Sequence, residues 1–332
     1  MHKPAMKSIT ALAAICTVAL SSPAQATLTL TSDAITAGFS LTTFASDFGT
    51  SGCCSGPFGM AVTGNGNVLV SANNTRYVFS NTDGQTPGSA LATTSSNSST
   101  AGYARAGGLA YGWNNSQFVQ FNDNGTVNHI LTGINTSPYL GMWGAPNGHI
   151  IATTGSGLFD IDPLANAGLG TFRIITNAYY GDGVSVSPDG ATAYLEYGGG
   201  ILPINILTGV AGSLITGFNS PDGTGVIIGG AFNGNLIVNN NNGDVDMYDF
   251  GTGMVTLLAK GSSPFGTDRG DYTAIDTQGC LFLAEGDRVD RLCLAGAGIG
   301  NPIPETGNNV PEPGSLALVG IALLGVLARR RK

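Results

Sequence analysis

Hydrophobic residues in this chain form one long run near each end and short bursts everywhere between. Residues 9–20 and 315–328 are free of charge throughout. In the intervening region the apolar stretches are short and are separated by Gly, Asn, Asp and Ser. No part of that region keeps the 3.6-residue period of an amphipathic helix. Short apolar stretches bounded by turn residues are the signature of strands. The middle of the chain is therefore predicted to be all-β, with two separate apolar segments flanking it.

The bursts group into six similar units, each with a short opening strand, a polar turn, a stronger second strand and a third. They lie at 59–62, 67–71 and 76–79; at 108–111, 117–121 and 127–131; at 141–143, 149–153 and 157–161; at 183–186, 191–195 and 201–206; at 225–228, 235–238 and 243–248; and at 272–275, 280–283 and 288–294. Opening glycines at 59, 108, 141, 183 and 225 are spaced by 49, 33, 42 and 42 residues. That is close to the roughly 40–50 residues of a propeller blade. Asn-Gly, Asp-Gly or Gln-Gly precedes most of the second strands, as tight hairpins require. The pattern predicts a six-bladed β-propeller, with strand-like residues from 27–50 completing the last blade. A β-sandwich of similar strand count is the alternative, and the regular three- to four-strand grouping favours the propeller. Residues 82–101, rich in Ser, Thr, Asn and Gly, read as a surface loop.

The end runs carry addresses. His2, Lys3 and Lys7 precede the apolar core 9–20, Ser21-Ser22-Pro23 breaks it, and Ala24-Gln25-Ala26 is a small-x-small cleavage site. This is the layout of a signal peptide over 1–26, leaving Thr27 as the first mature residue. Cys16 falls in the removed part, and no cysteine stands at the cleavage point. At the other end, Val310-Pro311-Glu312-Pro313 is followed by Gly314, the run 315–328, and Arg329-Arg330-Arg331-Lys332. The prolines keep their segment extended. The run satisfies its backbone in lipid only as a short transmembrane helix, and the cations hold the end on the cytoplasmic side. A full span takes about 20 apolar residues, so this helix leans on snorkelling arginines and bilayer thinning. Residues 296–309 form a Pro/Gly/Asn linker between a 27–295 ectodomain and the 310–332 tail.

The order of motif, helix and basic cluster resembles the PEP-CTERM sorting signal of Gram-negative bacteria. The resemblance covers 310–332 only. It implies recognition by an exosortase, removal of the tail after transient membrane anchoring, and delivery to the cell surface or extracellular matrix.

Composition sharpens the picture of the exported part. Six of the 13 basic residues lie in the two terminal segments, and all 21 acidic residues lie between Asp33 and Glu312. Counted from Thr27 through Glu312, the exported part thus carries a net charge near −14. Such a surface repels nucleic acid and anionic lipid and suits neutral glycans, cations or a basic protein. Four cysteines remain after processing, in a compartment where disulfides form. A two-residue turn at Gly286-Asp287 pairs Glu285 with Arg288 and places Cys280 directly opposite Cys293, which predicts a bridge between them. Cys53 and Cys54 are adjacent, and a vicinal disulfide, free thiols and metal binding all stay open for them.

The units are similar, at the level of fold, to exported propellers of the NHL-repeat, gluconolactonase-like and virginiamycin-B-lyase-like kind; Ser187-Pro188-Asp189-Gly190 carries the likeness best. Gluconolactonase-like propellers hold a divalent ion with a Glu, an Asn and an Asp from separate blades, but the spacing here does not place those positions and none is carried over. Neither His129 nor His149 has an acidic neighbour in sequence, so both read as strand-surface histidines rather than bases. The run 239–246, Asn-rich with Gly243, Asp244 and Asp246, offers oxygens that a structural divalent cation uses. It lacks spaced carboxylates and a closing Glu, and reads as a hairpin turn. Asp268-Arg269-Gly270-Asp271 reads as a turn with a local ion pair. Asp160, Asp162, Asp287 and Asp290 read as solvated strand ends, and Trp113 and Trp143 as blade packing or a sugar platform. No nucleophile elbow, phosphate loop, zinc motif or basic patch is present. No catalytic residue and no cofactor is therefore assigned. The expected function is binding of an exopolysaccharide or an envelope protein, without nucleic acid; the alternative is a lyase or hydrolase working at a channel mouth.

Overall fold

The structure is a computed structural model that describes residues 28–49, 56–96, 102–135, 140–262, 269–277 and 279–295. The expected signal peptide with Ala24 and Ala26, Cys53 and Cys54, the expected linker, and the tail with its expected transmembrane helix, Val310 to Pro313 and Arg329 to Arg331, lie outside the described residues.

The chain enters through β1 (Thr29–Leu30), a single-turn helix α1 (Ser32–Thr36) and β2 (Phe39–Ala45). Thr31 caps α1, its hydroxyl accepting the Ala34 N–H at 3.2 Å. Six antiparallel sheets follow. Blade 1 is β3 (Pro57–Val62), β4 (Val68–Ala72), β5 (Thr75–Phe79) and β6 (Ala92–Ser95). Blade 2 is β7 (Tyr103–Ala106), β8 (Leu109–Asn114), β9 (Gln117–Phe121) and β10 (Val127–Ile130). Blade 3 is β11 (Met142–Gly144), β12 (Ile150–Thr154), β13 (Gly157–Asp162) and β14 (Thr171–Thr176). Blade 4 has three strands, β15 (Val184–Val186), β16 (Thr192–Tyr197) and β17 (Gly200–Asn205); isolated bridges from Ala211 and Ile215 stand in for its outer strand. Blade 5 is β18 (Pro221–Val226), β19 (Leu236–Asn240), β20 (Asp244–Asp249) and β21 (Met254–Lys260), with β1 added outside. Blade 6 is β22 (Thr273–Ile275), β23 (Leu281–Ala284) and β24 (Val289–Leu294), with β2 as its outer strand.

This is a six-bladed β-propeller closed by its own N-terminal strand. β2 runs antiparallel to β24, Phe39 opposite Leu294, and Thr43 donates to Asp290 Oδ1 at 2.9 Å across the seam. Closing the ring this way pairs the exposed edge of the last blade. Two expectations are corrected. The stretch 82–101 is not all loop, since β6 lies within it: Ala92 and Thr94 face inward while Thr93 and Ser95 are exposed, a half-buried outer strand hidden by its polar composition. The second unit begins one strand earlier than its glycine at 108, because β7 is innermost and 109–114 is the second strand.

In blade 6, Leu281 pairs with Leu292 and Ala284 with Val289, the register of a two-residue turn. A disulfide joins Cys280 and Cys293, whose Cα atoms are 4.4 Å apart. That is the spacing of a non-hydrogen-bonded antiparallel pair, where facing side chains come closest.

The interior consists of apolar layers between blades. Arg76, 1 % exposed, is the polar exception between blades 1 and 2. It donates to the Tyr103 hydroxyl, the Gly125 carbonyl and Asn114 Oδ1 at 2.8–3.0 Å and lies 4.0 Å above the Phe121 ring. A buried guanidinium is tolerable when each N–H has such a partner.

Candidate functional site at the upper mouth

The upper face is taken as the one where each innermost strand begins. Three successive blades deliver an aspartate there: Asp182 and Asp271 stand two residues before the innermost strands of blades 4 and 6, and Asp222 is the second residue of the innermost strand of blade 5. Glycine lets them converge. A Cβ on Gly141 would collide with the Asp182 carbonyl, one on Gly183 with that of Asp222, and one on Gly223 with that of Asp271. Each blade's entrance loop thus closes onto a bare backbone in the blade before it.

Other groups complete the set. Glu196, at the end of β16, accepts the Asp182 N–H at 3.3 Å. Thr153 donates to the Asp182 carbonyl at 2.9 Å. Arg269 bridges two aspartates, Nη2 to Asp222 Oδ2 at 3.1 Å and Nη1 to Asp271 Oδ2 at 2.9 Å. Asn239 packs against Gly270 and donates to the Ala284 carbonyl at 3.0 Å, while its buried Oδ1 accepts no hydrogen bond among the described residues. Beside Glu196 and Asp182, the rings of Tyr197 and Tyr179 meet edge-on at 5.3 Å, and Tyr180 is 57 % exposed.

Tyr272 forms the floor. Its hydroxyl crosses the channel from blade 6 and sits 2.5 Å from the Tyr103 carbonyl and 2.7 Å from that of Met142, on blades 2 and 3. Below this bar the channel narrows to a cavity of about 40 Å³, lined mainly by apolar side chains such as Met60, Met142, Trp143, Val186 and Ile275, with Arg105 among them.

The electrostatics follow from crowding carboxyls in a dry place. Burial pushes Asp222 well above the usual carboxylate range, helped by the charges of Asp271 and Asp182 and opposed by Arg269. Burial lifts Asp271 to about 7, again against Arg269. Asp182 and Glu196 are raised too, chiefly by burial. One guanidinium among four carboxyls leaves the mouth short of positive charge, so protons are retained. The set can accept hydrogen bonds from hydroxyls and, through Asp271, hold a proton near neutrality.

A divalent ion does not fit this arrangement. The Arg269 guanidinium already lies between Asp222 and Asp271, and among the described residues no three His, Cys, Asp or Glu side chains are placed to hold a metal.

The residues singled out from sequence fall elsewhere, except Asn239 of the 239–246 run and the Arg269–Asp271 turn. Arg269 and Asp271 are in the mouth as an ion pair. His129 contacts the Gly168 carbonyl at 2.9 Å on an outer strand. His149 does have acidic neighbours, correcting the expectation: its Nδ1 is 2.8 Å from Asp160, its Nε2 3.7 Å from Asp162, and Arg173 holds Asp160 at 2.7 Å. The partners lie on the strand paired with its own, a proximity invisible in linear spacing. Asp287 and Asp290 are not solvated ends but pair with Arg288, itself 1 % exposed. Trp113 and Trp143 are buried. In 239–246, Asn240 donates to Asp246 Oδ2 at 3.0 Å and to the Asp244 carbonyl at 2.9 Å, which ties a hairpin together. Asp182, Asp222 and Glu196 were missed, although Asp-Gly ahead of two innermost strands was a readable signal.

Comparison with known proteins places the chain. Residues 309–332 match the PEP-CTERM protein-sorting motif. The chain carries a PEP-CTERM sorting signal. PEP-CTERM sorting implies an exported protein, processed by an exosortase and directed to the cell surface of a Gram-negative bacterium. The propeller that this signal accompanies is similar to a gluconolactonase from Xanthomonas campestris, at 17 % identity over 81 % of this chain and 96 % of that one, with a TM-score of 0.57. It is also similar to a structural-genomics protein of unknown function from Bacteroides thetaiotaomicron, at 12 % identity over 77 % of this chain and 76 % of that one, with a TM-score of 0.55. At these identities the likeness concerns fold. Comparison with the curated proteins finds no match.

Proposed function

We infer that this PEP-CTERM protein is a surface or matrix propeller whose upper mouth binds a glycan. The observation that carries the reading is the pairing of carboxyls with rings along the chain: Tyr179-Tyr180 lead into Asp182, whose N–H Glu196 accepts, and Tyr197 follows Glu196 with its ring against Tyr179, at the open end of a channel that Tyr272 closes beneath them. Carboxyl oxygens accept from sugar hydroxyls, and tyrosine faces cover the apolar side of a pyranose. A net charge near −14 from Thr27 through Glu312 disfavours anionic polymers. The test is titration of the processed protein with neutral exopolysaccharide fragments from its host. Binding that weakens about tenfold in Glu196→Gln and Tyr197→Ala supports the reading. Unchanged affinity in both variants rejects it.

A second reading has its own observation. Asp271, raised to about 7, is a carboxyl able to carry a proton at neutral pH, as the general acid of a hydrolase or lyase does. Product analysis in the same titrations separates the two: new reducing or unsaturated ends, lost in Asp271→Asn, would make the mouth an active site.

A further inference from the structure

On the lower face, a solvent-open cleft of about 600 Å³ lies between blades 4 and 5. Its walls are unlike those of the mouth. Tyr194 and Phe250 line it with ring centroids 5.2 Å apart and planes tilted by 38°, and Phe232 adds a third lining ring, backed by Phe39 at 5.9 Å; Tyr248, outside the lining, meets Phe250 edge-on at 4.9 Å. Phe250 is 42 % exposed, so one aromatic face is left to solvent within a concave site. Two carboxylates share the lining, Asp189 from the Ser187-Pro188-Asp189-Gly190 turn and Asp249 from the end of β20. Each is fixed by its own turn through Oδ1: Asp189 takes the Ser187 hydroxyl and the Ala191 N–H at 3.0 Å, and Asp249 takes the Gly251 N–H at 2.7 Å. Their Oδ2 atoms accept no hydrogen bond among the described residues. No lysine or arginine lines the cleft.

We propose that this cleft binds a small organic cation of the quaternary-ammonium type. Aromatic faces attract a cation through their quadrupole, and an alkylated ammonium is the cation that gives up the least hydration to reach them. Carboxylates without a basic partner supply the complementary charge, in a protein whose overall field already draws cations inward. The hydrogen bonds from Ser187 and Ala191 hold the Asp189 carboxyl below its ordinary range, so it stays charged in mildly acidic surroundings. A neutral sugar would use the rings and hydrogen-bond the carboxylates but leave their charge unbalanced; an inorganic ion would use the charge but not the rings.

The test is calorimetric titration of the full chain with choline and with 3,3-dimethyl-1-butanol, its uncharged isostere. Saturable one-to-one binding of choline, at least about tenfold tighter than the isostere, is expected. Asp189→Asn and Phe250→Leu should each weaken choline by about tenfold; the second keeps apolar volume at an exposed position, so the fold is preserved. Asp222→Asn, in the mouth, should leave choline binding unchanged, which keeps this result separate from the glycan reading. No saturable heat with choline, equal affinity for the isostere, or full affinity in both cleft variants would overturn the proposal.

Discussion

Tyr272→Phe removes one hydroxyl and almost nothing else. The ring remains, 4 % exposed and packed on Phe58 at 5.5 Å, so no large cavity opens. What goes is the donor that serves the Tyr103 and Met142 carbonyls across the channel, at 2.5 and 2.7 Å. Both carbonyls lie above an apolar cavity, where little competes to satisfy them. Leaving a buried acceptor unpaired costs about 1–3 kcal/mol. In a domain of this size each kcal/mol moves the melting temperature by about 2–4 °C. The expected loss is therefore about 2–12 °C in a thermal melt, against no change for Tyr180→Phe, whose ring is already in solvent. A melting temperature within about 1 °C of wild type would show that the hydroxyl is not the bar across the channel, and that the mouth has no sealed floor.

Other outcomes follow from the same structure. Asp271 holds a proton to about pH 7 in the fold but releases it near 3.8 when unfolded, so its contribution to stability falls as pH rises between those values. Asp271→Asn should accordingly melt higher than wild type at pH 8 and match it near pH 4, as a scan of melting temperature against pH would reveal. Replacing Cys280 and Cys293 by alanine opens a link of separation 13 and should cost about 2–3 kcal/mol in denaturant titration, with the same loss when wild type is reduced. Intact mass of protein recovered from the host surface should lack residues 1–26 and the residues after about Pro313; retention of Arg329 to Lys332 in the membrane fraction would argue instead for a plain anchor.

The strands were legible because a blade repeats a local pattern of turn, strand and tight hairpin within some 40 residues. Outer strands were legible only where they are apolar. Met254–Lys260 and Thr171–Thr176 alternate weakly, and Ala92–Ser95 is mostly hydroxyl-bearing, so neighbours rather than composition make them strands. The mouth was hidden by a shift of two residues. Reading Gly225 as the opening of the fifth unit, instead of Gly223, concealed that Asp222-Gly223 repeats Asp182-Gly183 and that Asp271 holds the same place one blade on. What no spacing reveals is that blades 4, 5 and 6 are neighbours around a ring, so that residues some 40 apart touch. The His149–Asp160 contact was lost in the same way, since it depends on strand register rather than on sequence distance.

The seam ties the fold to its address. β2 and β24 are joined by backbone pairing from Phe39 with Leu294 to Ala45 with Val289, and the Ala295 N–H donates to the Gly38 carbonyl at 2.9 Å. The Thr43–Asp290 hydrogen bond spans 247 residues of sequence. Contacts this distant form late, because the loop they close must first be ordered. In an exported protein the delay has a spatial meaning. Blade 6 is complete only when 39–45 and 289–294 are on the same side of the membrane, which requires nearly the whole propeller to have crossed. Until then β2, which crosses early, waits without its partner β24, an unpaired edge that closure removes. The residues that follow Ala295 lead directly to the sorting motif at 309–332. The strand that completes the ring is thus the last of the propeller to emerge, and the sorting signal comes next behind it. A chain halted before β24 has crossed would present neither a closed propeller nor an address.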